Sequence, residues 1–560
     1  MVKSKGKKKN NKKKQSKKEK PTLTLKERLE QKRKATKARQ ELTNLLSKAG
    51  GVGIVLAIAV FPVAGIKLAI PAVMGVIVMA LSYKYPRQAL FGFIFYVPFA
   101  GTVTYLLGGN AILQLAKDGF YVPAVIALWQ KCRQQNLPFI IPKGIKTPLF
   151  ILLTLCICTL LFVNAVQQFN PPPPPLFKTP PKSMPIGMGI LGLKVFMGYI
   201  PLITCAYYLI RNKKDFLFVS RMQVVLILIC CILGIIQYAL LVVGICKGTR
   251  GALGQDLFKA TLDARCFIGG ALVFSPSQGM IRLPGTFVAP WQWAWFLISS
   301  TFFTFGTGFS DPSVLWRMVG LVSLATVFAN AVISGQRIAL ALVPACLVLL
   351  LLLTGQLANL KRFIPIFGGL ILILTIAIVS NPTVVQERLD SFIGRWNASP
   401  PYLFITDQFE EVSHNTKNPL GNGLGKATNS ARIMGPTRLV ETYYPKVMFE
   451  VGILGVLAFL GLVTTLTICA FMTYRKVKNR NFRGYGAALW VFILFISYNT
   501  YYYPLDVDPV AVYYWFFAGV LFKIPEVDKL ERLKEQQNQK VEQEISTKKK
   551  RKQKLGENPL

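Results

Sequence analysis

Residues 447–470 have the sequence VMFEVGILGVLAFLGLVTTLTICA, in which Glu450 is the one charged residue. A helix needs about 20 mostly apolar residues to cross the hydrocarbon core of a bilayer, and this stretch has that length. Further apolar runs occur at Ile338–Leu353 and Ala487–Ile496, and 52% of the 560 residues are hydrophobic while 16% are charged. This pattern excludes a water-soluble globule, a secreted disulfide scaffold and a disordered chain, and it predicts an all-α, polytopic transmembrane helical bundle.

The net charge of +41 is concentrated at the two ends of the chain. Residues 1–48 contain 19 lysines and arginines against 4 glutamates, and residues 523–560 contain 11 against 7 acidic residues. We predict a disordered cytoplasmic tail over 1–48, with a basic helix at Thr22–Leu46, and a second disordered basic tail over 525–560. Such a tail can bind nucleic acid or anionic lipid, but it also keeps its end of the chain in the cytoplasm. We favour this orienting role and expect no nucleic-acid partner.

Between the tails, we predict a transmembrane domain over residues 49–524 with about fourteen spans. In the fourth of these, Lys117 and Asp118 indicate a broken or re-entrant segment. The predicted spans are 51–65, 67–83, 88–107, 111–130, 148–167, 188–210, 217–245, 290–308, 313–334, 338–355, 363–380, 446–473, 486–502 and 508–524.

Alternate loops between these spans are basic, as expected when the N-terminus lies in the cytoplasm. This predicts a multi-pass protein of the inner (plasma) membrane with both termini cytoplasmic. The opposite side then receives a loop over 246–289 and a large folded loop over 381–446. Cys246 and Cys266 flank a polar segment on that side, and whether they form a disulfide is left open.

Arginines fall on the outer side, against the usual bias of such loops, and we single out six of them as candidates for binding a ligand. A guanidinium at a membrane–water boundary suits phosphate, because its planar donors hold two oxygens at once. The alternative for each is snorkelling to a headgroup or pairing with a nearby acid. Together they favour an anionic ligand at the outer leaflet. They are Arg282, Arg337, Arg388, Arg395, Arg432 and Arg438.

The sequence predicts no metal site and no cofactor. It contains one histidine, His414, and no CxxC pair, so the usual ligand spacings of a zinc site are missing. The glycine-rich segment Asn418–Gly425 lets the backbone bend sharply or approach a ligand closely, but no Gly-Lys-Ser/Thr follows it. Neither a Walker loop nor a dinucleotide fingerprint is present, which excludes ATP-driven transport by this chain alone.

Four segments occur in an order that resembles the O-antigen ligase and Wzy polymerase superfamily of bacterial membrane glycosyltransferases. They cover roughly residues 190–470, with Trp291 where that superfamily commonly has asparagine. Three shorter stretches, 83–86, 427–432 and 501–509, resemble a cyanobacterial subgroup involved in hormogonium polysaccharide biosynthesis. The four segments are Arg282-Leu-Pro-Gly-Thr-Phe, Ser334-Gly-Gln-Arg337, Asn418-Pro-Leu-Gly-Asn-Gly-Leu-Gly and Glu450-Val-Gly-Ile-Leu-Gly.

The resemblance implies a polyprenyl-diphosphate-linked glycan as donor and a sugar hydroxyl as acceptor, in exopolysaccharide biosynthesis, without metal or nucleotide sugar. It implies that Arg282 and Arg337 bind the diphosphate, with Arg395 as a third candidate. Arg432 and Arg438 lie in the right loop but match no motif of the superfamily. The expected partners are membrane lipid and other polysaccharide-assembly proteins.

The sequence departs from the superfamily at the catalytic base. Ligases of this kind place a His-Asn pair late in the large loop, whereas residues 440–444 here are Val-Glu-Thr-Tyr-Tyr, and His414 lies too early. Glu441 is the candidate base, since a carboxylate at the membrane face can have its pKa raised into a useful range. The alternative is that Glu441 pairs with Arg438 three residues away on a helix. The missing histidine favours a polymerase over a ligase.

Two other functions fit the sequence less well. A secondary transporter of an anion or sugar should show ionisable residues at mid-membrane and a hydropathy repeat, and we find only Lys117 and Asp118 and no repeat. A non-catalytic scaffold would use the basic tails to recruit cytoplasmic partners.

Overall fold

The computed structural model describes residues 25–107, 116–171, 183–253, 264–267, 269–276, 279–356 and 382–556, with the single residues 257, 368, 375 and 379. Helices make up 78% of the structure, and within the described ranges the strands form a single two-stranded sheet. The predicted all-α class is therefore confirmed. The chain divides into two compact units, Met1–Leu81 and Ser82–Leu560.

The first unit contains the helix Leu25–Ala64 and most of the helix Ile66–Lys84. The two helices approach closely at Gly53, where an added Cβ would lie 3.1 Å from the Cα of Val73. Lys, Arg, Glu, Leu and Ala predominate in the first half of Leu25–Ala64, and these residues favour helix. The predicted basic helix and the first predicted span are thus parts of one continuous helix.

The second unit is built from helices of very different length. Those ahead of the sheet are Pro86–Tyr96, Ala100–Leu106, Asp118–Gln134, Lys146–Thr159, Ala165–Phe169, Pro185–Met197, Leu202–Leu209 and Lys213–Val242. Those after it are Pro290–Ser310, Val314–Ile333, Arg337–Leu353, Pro382–Ala398, Pro401–Asn415, Tyr443–Arg475, Arg480–Tyr498 and Val510–Gly556.

The helix Pro290–Ser310, called the central helix below, forms the middle of this unit. All of its residues from Trp293 to Ser310 are buried. Its aromatic rings contact those of its neighbours, as between Phe303 and Phe517, whose ring centroids are 4.2 Å apart. Because large aromatic side chains bury the most apolar area, this helix supplies much of the core.

A short antiparallel hairpin precedes the central helix. Its strands are Val273–Ser275 and Met280–Arg282, with Val273 opposite Arg282. Cys246 and Cys266 form a disulfide beside it, and Cys266 packs with Leu272 and Leu283 in one buried cluster. The disulfide left open by the sequence is therefore present, and it supports the strand that carries Arg282.

Seven helices of the described residues are long and apolar enough to cross a membrane, and the bent pair Pro185–Met197 and Leu202–Leu209 is an eighth candidate. The structure thus has the helices of a multi-pass membrane protein. Most of the predicted span 363–380 and the start of 111–130 lie outside the described residues, so the number fourteen stays a prediction. The seven are Lys32–Pro62, Pro86–Leu106, Lys143–Phe169, Lys213–Val242, Val314–Ile333, Tyr443–Arg475 and Val510–Thr547.

The prediction of a disordered tail over 525–560 is wrong as far as residue 556. This segment continues the helix Val510–Gly556, because Glu, Lys, Leu and Gln are strong helix formers even where net charge is high. The pair between Arg532 and Asp528, four residues apart at 3.3 Å, supports it. Residues 1–24 of the other tail lie outside the described residues.

The predicted large loop is folded. It contains the helices Pro382–Ala398 and Pro401–Asn415, followed by the glycine-rich segment and a 3₁₀ turn at Asn429–Ile433. Proline at the start of both helices suits the first helical turn, where a missing N–H costs nothing. The loop therefore brings its own secondary structure to the end of the bundle.

Candidate functional site

A cavity of about 660 Å³ lies between the large loop and the ends of several helices. Arg282, Arg337 and Glu441, three of the residues predicted from the sequence, line it together. The rest of the described wall consists of seven aromatic residues, four aliphatic residues, one proline and four residues with amide or hydroxyl side chains. The volume is within the range of about 300–1,000 Å³ typical of ligand pockets. The aromatic lining residues are Trp291, Trp295, Phe392, Trp396, Tyr501, Tyr502 and Tyr503.

The two arginines are held by segments that bond directly to each other. Arg282 ends the second strand of the hairpin, and the next residue, Leu283, donates its N–H to the carbonyl of Ser334 at 2.9 Å. Ser334 begins the turn whose last member, Arg337, starts the helix Arg337–Leu353. Gly335 in that turn has φ +71°, a conformation that favours glycine. The two predicted arginine segments therefore form one structural unit.

Arg282 is in an unusual electrostatic environment. Its Nε is buried and has no hydrogen-bond partner among the described residues. Burial lowers the pKa of its guanidinium, Tyr502 acts in the opposite direction, and the positive charge of Arg337 lowers it further. Two neighbouring like charges facing a cavity are stabilised by an anion between them, and a diphosphate has the charge and the acceptor oxygens for that.

Glu441 lines the same cavity but comes from a later part of the sequence, near the end of the large loop. Its backbone N–H donates to the Gln408 side chain at 3.2 Å, and the residue after it, Thr442, forms an antiparallel bridge with Tyr501. Residues 438–441 are not helical, so the helical turn that the alternative pairing of Glu441 with Arg438 assumed is not present, and Arg438 pairs with Glu411.

Two of the other predicted arginines, Arg432 and Arg438, are not among the described residues that line the cavity, and the side chain of Arg388 lies outside the described residues. Arg432 donates from Nε to Thr437 at 3.1 Å, and Arg438 lies over the Phe449 ring at 5.6 Å. Arg395 belongs to the helix Pro382–Ala398, but its side chain lies outside the described residues. Its neighbour Trp396 lines the cavity and is 51% exposed, as is expected at a cavity mouth.

The glycine-rich segment packs against the protein and does not line the cavity. A Cβ on Gly421 would lie 2.5 Å from the Glu450 carbonyl carbon, and one on Gly425 would lie 2.0 Å from the Met188 oxygen. Gly452, at φ +79° inside the helix Tyr443–Arg475, has Pro419 O in the corresponding place, at 1.9 Å. Of the two roles considered for this segment, close backbone approach is observed, but toward other helices.

A feature that sequence reasoning did not assign to the site is the segment Tyr501–Tyr503, called the tyrosine turn below. Tyr502 and Tyr503 have φ of 54° and 22°, a left-handed backbone that costs a tyrosine about 1–3 kcal/mol. Burial raises the pKa of Tyr503 to about 12, and the charges of Asp506 and Glu441 add to this. Strained residues of this kind cluster at functional sites.

Neither a protein-family model nor a curated protein sequence matches this chain. Within the described ranges, no group of three or more histidine, cysteine, aspartate or glutamate side chains is placed to hold a metal ion.

Proposed function

We propose that this protein transfers glycan units from a polyprenyl-diphosphate carrier to a sugar hydroxyl at the outer face of the cytoplasmic membrane, as a polysaccharide polymerase or ligase in exopolysaccharide biosynthesis. The observation that supports this best is the meeting of Arg282, Arg337 and Glu441 in one aromatic-walled cavity. These residues come from three distant parts of the sequence. Two cations for a leaving diphosphate and one carboxylate for a hydroxyl proton are the groups that such a transfer needs.

The proposed step needs no further reactant. The acceptor hydroxyl oxygen attacks the anomeric carbon of the donor, and the bond from that carbon to the diphosphate oxygen breaks. The electron pair leaves on the diphosphate, whose growing charge Arg282 and Arg337 stabilise. Glu441 accepts the hydroxyl proton. Preorganised donors in a partly dry site stabilise such charge far better than water does.

The disulfide supports the proposed side of the membrane. Disulfides persist in oxidising compartments outside the cytoplasm, and the Cys246–Cys266 bridge packs through Cys266 against Leu283, next to Arg282. The cavity and the disulfide therefore lie on the same side of the membrane in this proposal. This agrees with the proposed topology of about fourteen spans, with both termini in the cytoplasm and the large loop outside.

The test is the variant Arg337→Ala, compared with Arg432→Ala as a matched arginine outside the cavity lining. At equal membrane abundance, extracellular polysaccharide and lipid-linked glycan are measured together. Loss of polymer with accumulation of short lipid-linked repeats identifies a polymerase, and accumulation of long lipid-linked chains identifies a ligase. Unchanged pools in both Arg337→Ala and Arg282→Ala would contradict the proposal and favour the transporter.

A further inference from the structure

The side chains of the tyrosine turn line the cavity, while its backbone carbonyls accept hydrogen bonds from other parts of the protein. Its three rings line the wall beside Glu441. Tyr501 and Tyr502 meet edge to face with ring centroids 4.4 Å apart, and the Phe404 ring lies 5.8 Å from that of Tyr501. The rings are therefore packed on one another, which limits their motion.

Four successive carbonyls in and before this turn each accept a hydrogen bond. Thr500 O accepts from Tyr443 N at 2.7 Å, and Tyr503 O accepts from Asp506 N at 3.1 Å. Between them, Tyr501 O accepts from the Asn499 side chain at 2.8 Å. The indole N–H of Trp295, in the central helix, donates to Tyr502 O at 3.1 Å. These bonds hold the left-handed backbone of the turn in place.

Two ion pairs fix the residues that follow the turn. Asp506 pairs with Lys446 at 2.6 Å, and both side chains are more than nine-tenths buried. Asp508 pairs with Lys117, which precedes the helix Asp118–Gln134. A buried pair is costly to break once formed, because either partner alone would be an uncompensated charge. The residues that follow the turn are thus held in place before any ligand arrives.

We propose that the tyrosine turn, together with Trp396 of the same cavity lining, is a binding platform for the ring of a neutral sugar. The C–H faces of a pyranose are apolar and stack on aromatic rings, while its hydroxyls need hydrogen-bond partners at the rim of the ring. The same cavity offers Asn499, Gln336 and Glu441 for those hydroxyls. This platform lies beside Glu441, so on the proposed function, on which this assignment rests, the bound ring is the acceptor.

A prenyl chain is the competing occupant of an aromatic wall. The aliphatic side chains that suit a prenyl chain, such as Ile338 and Leu342, belong to the helix Arg337–Leu353. The tyrosine turn instead follows Asn499 in the chain and lies near Glu441, and a prenyl chain would leave both polar groups without a role. We therefore assign the turn to a sugar.

The proposal is tested by ligand binding to the purified full-length protein in lipid nanodiscs, without any transfer reaction. The probes are neutral oligosaccharides from partial acid hydrolysis of the host's extracellular polysaccharide, inorganic pyrophosphate, and farnesyl phosphate as a short prenyl chain. The variants are Tyr502→Ala, Tyr502→Phe and Trp396→Ala. Tyr402→Ala is the matched control, since Tyr402 is 64% exposed on a helix of the same loop and does not line the cavity.

We expect Tyr502→Ala and Trp396→Ala each to weaken oligosaccharide binding about tenfold, as for the loss of one stacked ring. Tyr502→Phe, which keeps the ring, should bind almost as well as the natural protein, and Tyr402→Ala should be unchanged. Because Trp396 is half-exposed, its removal tests the platform even if a change at Tyr502 prevents folding.

Three results would overturn the platform. They are no oligosaccharide binding while pyrophosphate binds, oligosaccharide binding that ignores both Tyr502→Ala and Trp396→Ala, and loss of farnesyl phosphate binding alone in those variants. The first result, binding of pyrophosphate without oligosaccharide, would not contradict the proposed transfer reaction. Conversely, ring-dependent oligosaccharide binding together with unchanged polymer in Arg282→Ala and Arg337→Ala cells supports the platform and rejects the transferase.

Discussion

The backbone N–H of Leu283 donates to the carbonyl of Ser334 at 2.9 Å, and this one hydrogen bond joins the hairpin to the turn that begins the helix Arg337–Leu353. Arg282 precedes the donor by one residue and Arg337 follows the acceptor by three. The main-chain positions that carry the two arginines are therefore fixed relative to each other. If the two arginines bind a diphosphate as proposed, less of the site has to be ordered when the ligand binds.

Gly285→Ala is expected to destabilise the protein by about 2–4 kcal/mol, combining left-handed strain with overpacking. Gly285 has φ +56°, and an added methyl would lie 2.4 Å from the Trp293 ring. Gly279→Ala is the matched control, because Gly279 has φ +63° with nothing within 4 Å of its Cβ, so the backbone cost of about 1 kcal/mol should stand alone. Thermal unfolding in detergent compares them, and equal shifts would refute the overlap.

Glu441→Gln should lower polymer formation about a hundredfold, the usual size of a general-base contribution. The amide keeps the shape of the side chain but cannot accept the hydroxyl proton. Glu411→Gln, in the same loop, changes a carboxylate that pairs with Arg438 outside the cavity lining, and it should leave polymer formation intact. The measurement is the rate of polymer formation in membranes with matched protein levels. A full rate in Glu441→Gln would remove Glu441 as the base.

Loss of the disulfide should act on the site through the hairpin. Cys246→Ser is expected to destabilise the protein by about 2–4 kcal/mol, since the bridge closes a loop with a sequence separation of 20. Cys469→Ser, at a free cysteine in the helix Tyr443–Arg475, should destabilise the protein less.

In Cys266→Ser cells, a membrane-impermeant maleimide should label Cys246 from outside. Labelling only after permeabilisation would contradict the proposed topology.

The Lys446–Asp506 pair should be far more important for stability than the Arg438–Glu411 pair. Asp506→Asn removes the ion-pair partner of buried Lys446, which keeps its hydrogen bond to Thr428 at 3.1 Å, and is expected to cost about 3 kcal/mol. Glu411→Gln breaks a pair whose side chains are 33% and 51% exposed, for which about 1 kcal/mol or less is expected. Denaturant unfolding of both variants gives the comparison. Similar costs would mean that the first pair is hydrated.

Tyr502→Gly should separate stability from binding. Glycine relieves the left-handed strain of φ 54° but removes the ring from the cavity wall. We expect an unfolding temperature at or above that of the natural protein together with about tenfold weaker oligosaccharide binding. A fall in both would show that the ring is needed mainly for packing.

The sequence predicted the all-α class and three of the cavity residues for different reasons. Hydropathy is a local property, so the apolar helices were found from composition alone. Arg282 and Arg337 were predicted because arginine is uncommon on the outer side, and Glu441 because residues 440–444 contain a carboxylate and no histidine. Their meeting in one cavity depends on contacts between distant segments, such as Leu283 with Ser334, which no local pattern encodes.

The tyrosine turn was beyond sequence reasoning, because left-handed tyrosines are imposed by surrounding contacts and not by propensity. Gly421 and Gly425 show a different limit. A glycine needed for close approach to a ligand is indistinguishable in sequence from one needed against another helix, and here the neighbours are Glu450 and Met188. In residues 525–556, net charge indicated disorder while helix propensity and ion pairs decided the outcome.

The burial of the central helix changes what its sequence must satisfy. At 21 residues it is about 31 Å long, close to the thickness of a bilayer's hydrocarbon core. It is nevertheless not one of the seven helices that are apolar enough to cross a membrane. Hydroxyl side chains such as those of Ser299 and Thr304 lower its mean hydropathy, and they donate to carbonyls of the same helix. From Trp293 to Ser310 this helix is surrounded by other parts of the protein. The sequence of such a helix is constrained by packing against neighbouring helices rather than by transfer into lipid. Mean hydropathy measures that transfer, so a low value does not show that the helix is out of place here.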